Sequence, residues 1–344
     1  MRKSGIELLR VISLFGVIMI HYWEQAATVA EGLNFHVLLA FRSISSCSVD
    51  VFLIISGYFL CRTNKRSLGK PVNLILQVSI INELAYLVKS YYGIEPPISL
   101  RHIASSLLPD SYYTTLFVVL YFISPYINKV IANLSHKEWN RLIICLLIFF
   151  SLYCTFCDLF FELAGQEIMG LSPITAWGSM QGFNIVNFTL LYLVGAYLRN
   201  NPIEIPSQRI CIILFVSFML IICWAELNTI FPSQRMGSAW VYHNPIVIIF
   251  AASLFLLFNR FTFESKFINS AAKSVYTCFL AHCQVISLVA VPVFARKSVG
   301  EMLLHYLVFA VLAYVICWVL WFFYDSLTHR IYKSLDKYQI CYFE

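Results

Sequence analysis

The sequence predicts an all-α fold: a polytopic transmembrane bundle of about ten helices with both termini cytoplasmic. Three observations carry this. Hydrophobic residues make up 60% of the 344 positions and charged residues only 12%, against roughly 45–50% and 25% in a soluble domain. Too little polar surface remains to cover a particle in water. Apolar runs of near-membrane length recur along the whole chain, and Lys and Arg fall between them rather than on one face. That distribution argues against nucleic acid as a partner and for membrane lipids, despite a net charge of +6.

Ten spans follow in order: Ile6–Trp23, Leu38–Leu60, Val72–Val88, Tyr113–Val130, Leu142–Phe160, Ile185–Leu198, Ile210–Trp224, Pro245–Phe258, Val275–Phe294 and Leu303–Tyr324. A bilayer core needs about 20 apolar residues per helix, so the short sixth and eighth are the weakest, and eight to eleven spans satisfy the pattern. With the N-terminus inside, inner segments hold 17 of the 24 basic residues, outer segments five (Lys89, Arg101, Arg235, Arg296, Lys297), and helices the other two, Arg10 and Arg42. This is a positive-inside excess. Residues 1–330 form one membrane domain, with 331–344 a short cytoplasmic tail. Glu7 and Arg10 interrupt what an uncharged signal-peptide core would require, so the first run is a retained helix.

The 11 cysteines are odd in number and lie mostly in apolar stretches, which is not a secreted disulfide framework. Cys154 and Cys157 form a lone C-x-x-C without a second pair, and no metal site is expected. Two outer stretches exceed simple turns: Lys89–Tyr112, and Phe161–Asn184 with Glu162, Glu167 and Trp177. Each is either a solvent loop or a lid.

Charges inside spans carry the functional signal, because each costs about 2.5–3.5 kcal/mol on insertion scales and usually faces a cavity or partner. The first helix holds Glu7, Arg10 and His21. Eleven residues at about 100° each bring His21 to within about 20° of the face of Arg10, roughly 16 Å along the axis. Snorkelling to headgroups is the structural alternative for Arg10, and a packing hydrogen bond that for His21. In the second span Arg42, Ser46 and Asp50 follow at i, i+4 steps, so Asp50 either pairs with Arg42 or sets the tautomer of His21. Arg62, Lys65, Arg66 and Lys70 then cluster within nine residues; they suit anionic lipid headgroups or the phosphates of a nucleotide-bearing cofactor. Glu83 and His282 are further intramembrane ionisable groups.

Gly5-Ile6-Glu7-Leu8-Leu9-Arg10, with His21 following after ten intervening residues, resembles the opening of the integral-membrane acyltransferase family three, whose first helix carries an Arg-x10-His motif. Val49-Asp50-Val51-Phe52 through Ser56-Gly57-Tyr58-Phe59 resembles its second-helix pattern. Tyr113 through Tyr121 to Ser124-Pro125 and Asn128 resembles its fourth-helix segment, and Ser274-Val275-Tyr276 with Leu280-Ala281-His282 its late helix. The departures are a loosened basic pair at Arg62-Thr63-Asn64-Lys65-Arg66 and Tyr112-Tyr113 where an aromatic pair often begins with Trp. No hydrolase-like domain follows the spans, so the chain resembles the stand-alone members. The resemblance implies acyl transfer from cytoplasmic acyl-CoA, acetyl-CoA before succinyl-CoA, to a hydroxyl of a surface polysaccharide or its lipid-linked precursor at a bacterial inner membrane. It implies His21 as general base, Arg10 as donor-binding group, Asp50 or Glu7 orienting one of them, and Arg62, Lys65 and Arg66 holding CoA phosphates. The residues alone equally fit a secondary transporter or glycan exporter.

Overall fold

A computed structural model describes residues 3–342 apart from 98, 101, 103–109, 167, 231–236 and 287–288. Arg101, Glu167 and Arg235, named above, lie outside the described residues. Helix dominates, and among the described residues eight helical segments are long and apolar enough to cross a membrane. The sixth and ninth expected spans are the two that fall short: Ile185–Asn200 has 16 residues and Val275–Ile286 has 12. The eighth, weak in sequence, lengthens to 22 residues because a 3-10 turn at Ser238–Trp240 leads into it.

The first helix, α1 (Ser4–Ala26), runs through the middle of the bundle with most of its residues buried. The second span, Gly32–Leu60, is crossed by a two-residue turn at Ser46 and Cys47. It divides into α2 (Gly32–Ser45) and α3 (Ser48–Leu60). Serine hydroxyls explain the break: Ser43 donates to Leu39 O at 2.8 Å, Ser45 to Phe41 O at 2.7 Å and Ser46 to Ser43 O at 2.8 Å. Such back-bonding competes with the helical ladder and bends it. Asp50 follows this turn, in the first turn of α3.

A three-residue strand, β1 (Lys65–Ser67), follows, then α4 (Gly69–Tyr91) and α5 (Tyr112–Ala132). A Ser135/Glu138 capping box starts α6 (His136–Leu147), as the S-x-x-E spacing dictates. One π turn at Ile148–Leu152 joins it to α7 (Tyr153–Ala164). Then come α8 (Ile185–Asn200), α9 (Ser207–Ile230) and α10 (Pro245–Asn259). The short α11 (Lys266–Ala271) leads into α12 (Val275–Ile286) and α13 (Val291–Ala295). A second capping box, Ser298/Glu301, opens the 37-residue α14 (Val299–Leu335). The segment expected as a tail is helical to Leu335 and then forms β2 (Gln339–Cys341), antiparallel to β1.

Burial is inverted relative to a water-soluble protein. The lipid-facing helices expose apolar side chains, such as Ile212, Phe215 and Leu220 on α9 and Val308, Val315 and Val319 on α14. The interior instead holds Glu7, Asp50, Arg66 and His282. Where α3 meets α8, backbones touch through glycine: a Cβ on Gly57 would lie 2.0 Å from Tyr192 O, and one on Gly195 2.1 Å from Ile54 O. Small residues give membrane helices this approach, because lipid supplies no hydrophobic drive for their association.

The loop at Phe161–Asn184 is packed onto the bundle. Ser179 Oγ donates to both carboxylate oxygens of Asp158 at 2.9 and 2.7 Å, and Asp158 meets His243 at 3.0 Å. Glu162 accepts from Ser238 N at 3.0 Å.

Candidate active site

Two cavities open along α1, one at each member of its charged pair. The smaller, about 230 Å³, is lined by Arg10 with Lys70, Lys273, Ser56, Tyr113 and Tyr276. The larger, about 750 Å³, is lined by His21 with His282, Cys283, Tyr112, Tyr242 and Lys89. Phe279 lines both, and its ring lies 5.1 Å from that of Tyr113 and 6.0 Å from that of His282. The shared face expected from the eleven-residue spacing is therefore the face on which both cavities lie.

Each member of the pair is held by a carboxylate of its own helix. Glu7, three residues before Arg10, accepts from Nη1 at 3.1 and 3.2 Å. Its side chain is 8% exposed while that of Arg10 is 33% exposed, so the charge is held from behind and faces the cavity. At the other end Glu24 Oε2 lies 2.8 Å from Nδ1 of His21. An anionic acceptor on Nδ1 holds a proton there and fixes the orientation of the ring. Glu24 stands one residue past the expected end of the first span, outside its apolar run; i, i+3 spacing on a helix face is the signal that ties it to His21.

Asp50 performs neither expected task. It is fully buried, and among the described residues neither carboxylate oxygen has a hydrogen-bond partner. Arg42, its expected partner, stacks over Trp240 at 4.7 Å, and the acid on His21 is Glu24.

Arg66 is also a correction. It is 1% exposed, and every guanidinium nitrogen is engaged within the protein. Nε donates to Tyr121 O at 3.0 Å and Ser124 Oγ at 3.1 Å. Nη1 donates to Thr63 O and Oγ1, each at 2.7 Å, and to Lys65 O at 3.0 Å. Nη2 reaches Leu60 O at 3.3 Å and Ser124 Oγ at 2.6 Å. Pro125 explains the need for this clip: it stands four residues after Tyr121 and has no N–H, so the Tyr121 carbonyl lacks its helical donor. Burial without a carboxylate partner pulls the Arg66 guanidinium down from its usual range. Arg62 and Lys65 stay exposed, and Arg62 lines a separate surface hollow with Asn64, Lys129 and His136. The cations that accompany Arg10 are instead Lys70 and Lys273.

His282 finds its partners at the larger cavity. Its ring centroid lies 4.9 Å from that of His21, Nδ1 lies 3.1 Å from Cys278 O, and Nε2 is 3.3 Å from Cys283 Sγ. Glu83 meets His102 at 3.5 Å. Tyr276, from the late-helix motif, bonds Thr114 Oγ1 at 2.7 Å. Asn128 donates to Leu60 O at 2.9 Å and accepts from Tyr192 OH at 2.7 Å. The motif residues of α5 and α12 thus tie the end of α3 and the walls of the cavities together.

A family model described as an acyltransferase domain, acyltransferase family 3, matches residues 3–322, from the first turn of α1 into α14. The chain belongs to that family. It is a multi-pass membrane acyltransferase, as its ordered motifs and eight apolar spans together require. No curated protein and no solved structure matches it. In this acyltransferase the glutamates at positions 7 and 24, not the aspartate at 50, hold the arginine and the histidine of the first helix.

Proposed function

We propose that this acyltransferase moves an acyl group, acetyl in the first instance, from cytoplasmic acyl-CoA to a hydroxyl of a surface polysaccharide or its lipid-linked precursor, at a bacterial inner membrane. The observation that carries the reading is the arrangement of two cavities on one helix face, one with three cations and one with a carboxylate-bound histidine, meeting at Phe279. Arg10, Lys70 and Lys273 suit the phosphates of the donor: a forked, permanent charge and two point charges around one small pocket. His21 takes the proton from the acceptor hydroxyl as its oxygen attacks the acyl carbon, and Glu24 holds the imidazole and stabilises the imidazolium that forms. Arg62 and Lys65, exposed beside the chain entry to α4, add attraction for the nucleotide part of CoA. Acyltransferase membership removes the support for the exporter alternative, since buried charges serve catalysis as well as transport.

The test is ester content of the host glycan with and without the chain, followed by acyl-CoA consumption by the purified, reconstituted protein. Arg10→Ala and His21→Ala are each expected to abolish both while inserting and accumulating normally. Full activity in either variant would sink the assignment.

A further inference from the structure

Resting on the reading above that acyl-CoA is the donor, we propose that Cys283 carries the acyl group as a thioester between the donor and acceptor steps. Cys283 is a free, exposed thiol on the wall of the larger cavity. Its sulfur and the imidazole nitrogens of His21 and His282 all lie within 4.8 Å of one another. His282 Nε2 is 3.3 Å from Sγ, and its Nδ1 sits at 3.1 Å from the carbonyl of Cys278. A backbone carbonyl only accepts, so the Nδ1 proton stays and Nε2 is the atom that receives the thiol proton. On the other side Glu24, His21 and Cys283 form an acid–imidazole–sulfur series. Nucleophile, base and orienting group are thus all present, and the base is doubled.

The chemistry balances without a further reagent. His282 takes the proton of Cys283, and the thiolate attacks the acyl-CoA carbonyl carbon. The new carbon–sulfur bond to Cys283 forms, the bond to the CoA sulfur breaks, and the departing CoA thiolate regains the proton from His282. One thioester replaces another, so the exchange is close to isoenergetic. The acceptor hydroxyl then gives its proton to His21 as its oxygen attacks the Cys283 thioester. The carbon–oxygen bond forms, the carbon–sulfur bond breaks, and the Cys283 thiolate recovers that proton. Two histidines are useful because the two half-reactions need a base facing different partners. Cys283 lies in the same cavity as His21, so a carried acyl group waits where the acceptor is deprotonated and lets CoA leave before the acceptor is modified.

The experiment incubates the reconstituted full chain with radiolabelled acetyl-CoA, and in parallel succinyl-CoA, without acceptor, and follows rapid-quench labelling. The proposal expects about one acyl group per chain on the Cys283 peptide, discharged by neutral hydroxylamine and absent in Cys283→Ala, with turnover down at least about 1,000-fold. His282→Ala should slow labelling, whereas His21→Ala should still label but fail to discharge. Cys211→Ala, on the lipid-facing α9, should behave as the unaltered chain. A readout that needs no variant is maleimide modification of Cys283, expected to be blocked by prior acetyl-CoA. Label that persists in Cys283→Ala, or turnover within about threefold of the unaltered chain, overturns the relay. So does stoichiometric zinc lost with Cys283, which would make the cluster a metal site. Turnover without any label on the unaltered chain overturns the relay and leaves the acyl-CoA reading standing; neither turnover nor label overturns both.

Discussion

Replacing Arg66 by alanine separates a structural arginine from a donor-binding one. The side chain serves six acceptors, and two of them, Tyr121 O and Ser124 Oγ, are buried inside the helix packing. The Tyr121 carbonyl keeps only the Ser124 hydroxyl, because Pro125 contributes no N–H. Leu60 O and Thr63 O retain Asn128 as donor, so their loss is partial. Two buried acceptors at about 1–3 kcal/mol each give a destabilisation of about 2–6 kcal/mol. Relief of the desolvated guanidinium pulls the result toward the lower half of that range. The assay is thermal inactivation of the detergent-solubilised protein, with acyl-CoA affinity measured at a temperature where the variant is still folded. Arg66→Ala should lower the midpoint by about 3–5 °C with affinity nearly unchanged, and Arg62→Ala should shift stability by less than about 0.5 kcal/mol. An Arg66→Ala protein of normal stability with weakened acyl-CoA binding would refute the reasoning and return Arg66 to the donor site.

Further outcomes follow from the same geometry. Gly57→Ala and Gly195→Ala each drive a methyl group into a backbone carbonyl across the α3–α8 contact; each should cost at least about 3 kcal/mol and show as loss of the monodisperse protein on gel filtration. Glu24→Gln keeps a hydrogen-bonding oxygen beside His21 but removes the charge that stabilises an imidazolium, so kcat should fall about 10- to 100-fold with acyl-CoA KM little changed. Lys70→Ala and Lys273→Ala should raise acyl-CoA KM by about 5- to 50-fold with kcat nearly intact, a split that steady-state kinetics resolves. Arg10→Lys should fail to restore Arg10→Ala, because a single ammonium cannot reproduce the fork held by Glu7.

How much was legible beforehand differed by residue, for physical reasons. Arg10 and His21 could be paired because helical rise and rotation are fixed by the backbone, and no fold can change the face on which they lie within an unbroken α1. Spacing also offers Arg42 as one of two partners for Asp50, but three serine hydroxyls bond back onto the helix around the turn between them; the competition between a hydroxyl and an amide for one carbonyl is decided by packing. Arg66 looked like its basic neighbours, and nothing local announces that a proline 59 positions later leaves a carbonyl for it to cap. The triad of His21, His282 and Cys283 joins two helices some 260 residues apart in sequence.

By itself, then, the sequence determined that this chain lives in a bilayer, which family it resembles, and which two residues of the first helix share a path. Those follow from transfer free energy per residue and from fixed helix geometry, both local properties. Only the tertiary structure decided which carboxylate serves which charge, which cations surround Arg10, and that the His21 cavity contains a thiol. These depend on where distant helices cross, and crossing positions are set by side-chain fit and glycine contacts that no single segment encodes.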